Sequence, residues 1–287
     1  MTLMQLLTDL YVPLKGVSQR TEKLYRLTIR AYGEFLGCEP TIEHLSEVPV
    51  ARFLQQRLST RAAATAAKDR AQLRALWEFA ARRTLISEFP TLRAIRVPER
   101  IPEAWTIGEM QRLLSSATEA SGAVSGVPAC DFWPALILVL FETGERVSAA
   151  MALRWSDVAE DSVIFRAETR KRCTRDIYRG ITPTCHEHLE AIRRQRELVF
   201  EWGHAATDIF RHLGIITKRA GLPCDRRSKF HKIRRTTASY AAAAGVDAQK
   251  LLDHSQASTT RRYLDPRIVK MPQACDVLPS ITTSGQR

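Results

Sequence analysis

The run His231-Lys-Ile-Arg234-Arg235, continuing as an alanine-rich stretch to Gly245, constrains this chain more than any other. Alanine favours helix and glycine commonly closes one, so the run predicts a single helix. Three residues apart on it, His231 and Arg234 share a face. Leu252-Asp253-His254-Ser255 follows, and then Thr259-Thr260-Arg261-Arg262-Tyr263. A second imidazole is therefore followed, nine residues later, by a tyrosine set among arginines.

Size and composition bound what surrounds this segment. A chain of 287 residues predicts two domains, each large enough for its own core. Its 45% hydrophobic and 26% charged content is ordinary for a globular protein. The longest apolar run, Ala135 to Phe141, falls short of the roughly 18 residues of a membrane span, so no membrane partner is expected. The opening Met1-Thr-Leu-Met-Gln-Leu-Leu-Thr-Asp has no early positive charge, which argues against a signal peptide. Six cysteines are scattered without a C-x-x-C pair and read as reduced thiols. The expected location is the cytoplasm.

Charge points toward a partner. The net charge is +12, with 15 Lys and Arg against 9 Asp and Glu in residues 1–98, and 28 against 22 in residues 99–287. Each part is thus +6. Positive surface on both parts suits a polyanion, because nucleic acid releases counterions when its phosphates are neutralised.

Residues before about 95 read as helix throughout. One helix is expected from Ser18 to about Leu36, ended by Gly37 and Pro40; another runs from about Pro49 to Leu58, and a third from about Ala62 to Arg83. Trp77 and Phe79 are read as packing residues rather than base stackers. A small helical bundle results. Ile95 to Pro102 carries two prolines and three charges, an extended connection. Thr106-Ile-Gly-Glu109 then restarts helix with a capping box. The division is residues 1–98, a linker 99–104, and residues 105–287. In the second part, a buried helix from about Asp131 to Glu142 ends at Thr143-Gly144. Two short strands, Val163 to Arg166 and Asp176 to Tyr178, flank a basic hairpin holding Arg170, Lys171 and Arg172. Charged helices are expected over Thr184–Trp202, where Arg193, Arg194 and Arg196 form a solvated face, and over Asp208–Ala220. Arg226 to Arg235 holds six Lys and Arg and no acid, a phosphate-facing wall comprising Arg226, Arg227, Lys229, Lys232 and Arg235 beside the two histidine-bearing segments.

Two cationic donors, two imidazoles and a phenol are the groups that attack on a phosphodiester requires. With a free pKa of about 10, tyrosine needs a base and positive surroundings to act as a nucleophile. His231-x-x-Arg234, Leu-Asp-His254-Ser and Thr260-x-x-Tyr263 resemble the C-terminal pattern of the tyrosine recombinase (phage integrase) family: H-x-x-R, L-G-H-S, T-x-x-Y. The stretch Thr143-Gly-Glu-Arg146-Val-Ser-Ala-Ala-Met-Ala-Leu-Arg-Trp-Ser-Asp157 resembles its T-G-L-R-[IV]-S-E-x-x-x-L-x-W-x-D box. Gly16 to Tyr25 and the later Leu-Trp-Glu-Phe-Ala helix are similar to its SAM-like core-binding domain.

The resemblance implies a mainly α fold: an N-terminal SAM-like helical domain, and an α-rich catalytic domain with a small antiparallel β-hairpin. It implies a site-specific DNA recombinase that cleaves and rejoins DNA through a 3′-phosphotyrosyl intermediate, without metal or cofactor. By this match Tyr263 is the nucleophile, and Arg146 and Arg234 hold the non-bridging oxygens. His231 accepts the tyrosine proton, His254 bonds a phosphate oxygen, and Lys171 protonates the leaving 5′-oxygen; the spacing from Arg146 also admits Arg170 or a neighbour as the acid. Arg170, Arg172, Arg226, Arg227, Lys229, Lys232, Arg235, Arg261 and Arg262 are expected DNA contacts. Double-stranded DNA is the expected partner, with a homo-tetramer on paired sites and a monomer or dimer in solution. A type IB topoisomerase-like enzyme, or a DNA-binding regulator with a degenerate site, are the alternative readings.

The sequence departs from the family pattern in four places. Asp253 stands where glycine is usual, Glu145 where an apolar residue is usual, and Ala149 where an acid is common. The 20-residue interval from Arg234 to His254 is also shorter than usual.

Overall fold

The computed structural model describes residues 1–170, 175–225, 228–270 and 274–279. The chain separates into two compact units, Met1–Arg100 and Ile101–Arg287.

The first unit is built from helices. Helix α1, Gln19–Leu36, begins with the Ser18 side chain accepting from the Thr21 amide and ends at Gly37 in a left-handed conformation. Helices α2, Glu47–Thr60, and α3, Ala63–Ala81, follow. Tyr32, Phe53, Leu73, Leu76 and Trp77 interlock in the core. One buried carboxylate ties the three helices together: Asp69 on α3 accepts from Thr28 of α1 at 2.7 Å and from Arg57 of α2 at 2.8 Å. Trp77 and Phe79 are buried, and the Trp77 indole N–H donates to the Glu88 carbonyl at 2.8 Å. An N-terminal helical run, Leu3–Gln5, a π-helical Leu6–Tyr11 and Val12–Lys15, precedes α1 and buries Leu3, Leu6 and Leu7 completely.

In the second unit, α4, Ile107–Thr118, starts at the reciprocal Thr106–Glu109 capping box. A two-residue hairpin, β1 Ala123–Val124 and β2 Val127–Pro128, leads into α5, Ala129–Thr143. This helix is apolar all round and fills the centre, as such a sequence must. It packs on α4, on α7, Pro183–Ala191, and on α9, Phe230–Ala243. Helix α8, Asp208–Arg219, completes the layer against α4. The short helix α6, Val147–Ala150, follows α5. Strands β3, Ser162–Phe165, and β4, Ile177–Gly180, pair antiparallel with Phe165 opposite Ile177, each within a residue or two of the expected Val163 to Arg166 and Asp176 to Tyr178. Two short helices, α10, Ala248–Leu252, and α11, Ala257–Arg261, follow α9.

The expected helix over 184–202 is half that length. After α7 ends, Val199 donates to the Leu153 carbonyl and Trp155 to the Glu197 carbonyl. The chain leaves the helix there in bends that join it to the Leu153–Trp155 segment, and Val199 and Phe200 are both buried. Among the described residues no helix is long and apolar enough to cross a membrane.

Candidate active site

The site begins where α5 stops. Gly144 turns the chain at φ 63°, and a Cβ there would lie 3.2 Å from Thr237 Cγ2, so any other residue would be both strained and tight. Two residues on, Arg146 caps α6 in extended conformation and is half-buried. Its positive charge helps lower the pKa of His231, Arg234 and His254 alike, so it bears on all three.

Helix α9 supplies the next two groups. Arg234 is 1% exposed. Its Nη1 donates to the Gly144 carbonyl and its Nη2 to the Leu252 carbonyl at 2.8 Å. Of five guanidinium protons, two are committed to these carbonyls, and Nε has no partner among the described residues. Burial, with repulsion from Arg146, lowers the Arg234 pKa to about 10, leaving it charged at neutral pH. His231, one turn earlier, lies at the exposed edge of the same face. Partial loss of solvent, then repulsion from Arg235, Arg234 and Arg146, holds its pKa below the usual imidazole value.

His254 follows the end of α10. Asp253 takes the left-handed conformation, φ 50° and ψ 49°, that turns the imidazole inward. His254 Nδ1 lies 3.1 Å from Thr260 Oγ1, and its buried Nε2 has no partner among the described residues. Burial and the charges of Arg234 and Arg146 lower its pKa to about 4.

Tyr263 sits just past α11, half-buried, its amide donating to the Thr260 carbonyl at 2.8 Å. Its ring centroid is 5.0 Å from that of His254 and 6.4 Å from that of His231, and the Arg234 guanidinium lies 5.8 Å away. Ser239 on α9 donates to the Tyr263 carbonyl at 3.2 Å and accepts from the Asp265 amide at 2.9 Å. Asp265 in turn accepts from the Ala104 amide at 2.8 Å. Burial alone would raise the Asp265 pKa; hydrogen bonds from Arg267 and from the Ala104 amide overcome it and lower the value to about 2. Sequence reading gave no role to Thr260, Ser239 or Asp265. Thr260 alone left a signal, since it stands one helical turn before the tyrosine.

The departures at 145 and 253 meet in space. Glu145 and Arg170 have fully buried side chains, and Arg170 Nη2 donates to Glu145 Oε1 at 2.9 Å. Its Nη1 reaches Asp253 Oδ2 at 3.1 Å, and Arg175 Nη2 takes Asp253 Oδ1 at 3.1 Å. Glu145 Oε2 lies 3.8 Å from Arg234 and 3.3 Å from the Arg146 amide.

Two expected DNA contacts need correction. Arg170 is turned inward to these carboxylates instead of outward to phosphate. Lys232 is also buried, because its place on α9 lays the stem over the Trp105 ring, 5.5 Å from ammonium to centroid, toward Glu103 at 3.9 Å. Lys229 bonds the Phe210 carbonyl at 2.6 Å. Arg235 is half-buried, and Arg261 and Arg262 are exposed. Lys171, Arg172, Arg226 and Arg227 lie outside the described residues.

The model of the phage integrase family matches residues 109–268, and that of the phage integrase N-terminal SAM-like domain matches residues 7–84. The chain belongs to the phage integrase family. As a member it is a tyrosine-type site-specific recombinase. Tyrosine recombinase XerA of Thermococcus kodakarensis is 26% identical over 267 residues, spanning 89% of this integrase-family chain and 88% of its own length. Two solved structures share the fold. A lambda integrase dimer bound to a COC′ core site has 20% identity and a TM-score of 0.71, covering 95% of this chain and 80% of that one. The Tn1549 transposon integrase in complex with a circular intermediate DNA has 15% identity and a TM-score of 0.72, covering 92% and 95%.

Proposed function

We propose that this recombinase cleaves and rejoins double-stranded DNA at Tyr263, with Arg146, His231, Arg234 and His254 as its catalytic groups. The observation that carries the reading is the gathering of Arg234, His231 and His254 round one tyrosine ring, from segments that the chain separates by a helix and two turns. The phenolic oxygen attacks the scissile phosphorus and its proton passes to His231. A bond from phosphorus to the tyrosine oxygen forms while the bond to the 5′-oxygen breaks. Lys171 returns a proton to that leaving oxygen. Arg146 and the uncommitted protons of Arg234 stabilise the charge that builds on the non-bridging oxygens, each such donor contributing on the order of 10²–10³ in rate. With the Thr260 hydroxyl donating to Nδ1, His254 keeps its proton on Nε2 and offers it to a phosphate oxygen. Attack by a second strand's 5′-hydroxyl reverses the step, so the phosphotyrosine conserves the bond for exchange.

Both halves of the chain carry the same positive excess, which supports DNA contact by each. The lambda integrase relative forms a tetramer bound to a Holliday junction, which supports a tetramer of this chain on paired sites. A regulator with a degenerate site is not favoured: each matched catalytic side chain among the described residues keeps the chemistry its role requires.

A nicked duplex whose cleaved fragment diffuses away tests the reading. Wild-type protein gives a denaturation-resistant DNA adduct, Tyr263→Phe gives none, and Tyr240→Phe gives the normal amount. An adduct from Tyr263→Phe would remove the nucleophile and the mechanism with it.

A further inference from the structure

We propose that Arg170 is a positioning residue that staples Glu145 to Asp253 and so sets the separation of Arg146 and His254, the residues that follow them. The proposal rests on the reading of Arg146 and His254 as phosphate-binding groups.

The register of the contacts carries it. Two segments more than a hundred residues apart in sequence run side by side: 144–146 beyond α5 and 252–254 at the end of α10. Arg234 joins the Gly144 carbonyl to the Leu252 carbonyl. One residue further along both segments, Arg170 joins the Glu145 carboxylate to the Asp253 carboxylate. One residue further again stand Arg146 and His254. Two guanidinium groups thus clamp successive rungs, and the third rung is left for the substrate.

Three features distinguish a staple from general charge balance. Arg170 uses a different terminal nitrogen for each carboxylate, at 2.9 and 3.1 Å, so its rigid planar fork fixes their spacing and direction, which a rotatable ammonium does not. The second oxygen of Asp253 accepts from Arg175 at 3.1 Å, so both oxygens of that carboxylate are bonded to guanidinium groups. Asp253 also occupies a left-handed conformation that glycine adopts without strain, so the backbone there does not itself call for a carboxylate. Buried ion pairs seldom add net stability over apolar packing, which leaves position as the gain.

The test uses full-length Arg170→Lys, Glu145→Gln, Asp253→Gly and the double variant Glu145→Gln/Asp253→Gly. Each is assayed for thermal midpoint, DNA Kd and rate of adduct formation on a saturating nicked duplex. The left-handed backbone at 253 suits glycine, so Asp253→Gly is expected to fold, and its thermal midpoint reports what the lost contact to buried Arg170 costs. The staple predicts that it nevertheless forms adduct roughly ten- to a hundredfold more slowly, as Arg170→Lys does, through misplacement of reacting groups. Kd stays within about threefold, since many other phosphate contacts remain. The double variant is no slower than the slower single one, because either change alone opens the staple. Wild-type rates for Asp253→Gly or Arg170→Lys, or losses that add in the double variant, overturn the proposal. Amide hydrogen exchange of residues 144–146 and 252–254 in the free proteins gives a readout that needs no catalysis. Opening the staple speeds exchange in both segments, and unchanged exchange in Asp253→Gly also overturns it. Should wild-type protein give no Tyr263 adduct, the functional reading fails while exchange still decides the staple.

Discussion

The hydroxyl of Thr260 lies 3.1 Å from His254 Nδ1, so that nitrogen has a side-chain partner while Nε2 has none among the described residues. Thr260→Val keeps the volume and removes the hydroxyl. Nδ1 then loses its partner, and the ring orientation and tautomer on which the proposed donation from Nε2 relies are no longer held. Adduct formation is expected to fall roughly tenfold or more at unchanged DNA affinity, while Thr260→Ser stays near wild type. Single-turnover rates decide it; an equal rate for the valine variant excludes the tautomer role.

Arg146 caps a four-residue helix and its charge reaches three partners, but it is only half-buried. Arg146→Ala is therefore expected to fold. Its cleavage rate should drop by roughly 10² or more with Kd nearly unchanged, the pattern of a group that acts in the transition state. Equal losses of affinity and rate would reduce Arg146 to an ordinary phosphate contact.

The lowered imidazole pKa values predict how stability depends on pH. His254 titrates at about 4 in the folded protein, against roughly 6.5 when unfolded. Between these values the unfolded chain binds more protons, so stability is lost as pH falls from about 6.5 through about 4. The lowered His231 acts in the same direction. Asp265, lowered to about 2, contributes stability that is lost only below its unfolded value of about 3.8. Thermal midpoints from pH 7 to 4 should decline less in His254→Gln than in wild type. Parallel declines would show that His254 is not held neutral.

Salt dependence separates the outward cations from the inward one. Arg261 is exposed and Arg235 half-buried, whereas Lys232 is buried over Trp105. Replacing Arg235 or Arg261 with Ala should flatten the slope of log K against log salt by about 0.9 for each phosphate that the side chain neutralises in wild type. Lys232→Met should leave the slope unchanged. A flattened slope for Lys232→Met would place its ammonium on DNA.

What could be read from the sequence was whatever depends on short spacing. The helix under His231 and Arg234, the capping box at Thr106 and the strand pair round Phe165 are local patterns, and each formed as its residues dictate. The helix over 184–202 failed because the backbone of Glu197 and Val199 is bonded to Trp155 and Leu153 far upstream, a partner that local spacing does not reveal. Arg170 was misread for the same reason. A basic hairpin looks like a phosphate surface until the carboxylates 25 residues before and 83 residues after it come to rest against its first arginine. Glu145 and Asp253 each looked like a defect, and only the fold shows that a single guanidinium spans them.

Ser239 has a mechanical consequence. Its hydroxyl holds the Tyr263 carbonyl and the Asp265 amide to α9, and Asp265 is in turn moored to the Ala104 amide. The chain beyond Asp265 therefore leaves from a knot. Tension on that segment, from a neighbouring subunit or from moving DNA, is borne by these hydrogen bonds before it reaches the phenol. Tyr263 is thus moored like a wire clamped beside its terminal, at its own carbonyl and again two residues further on.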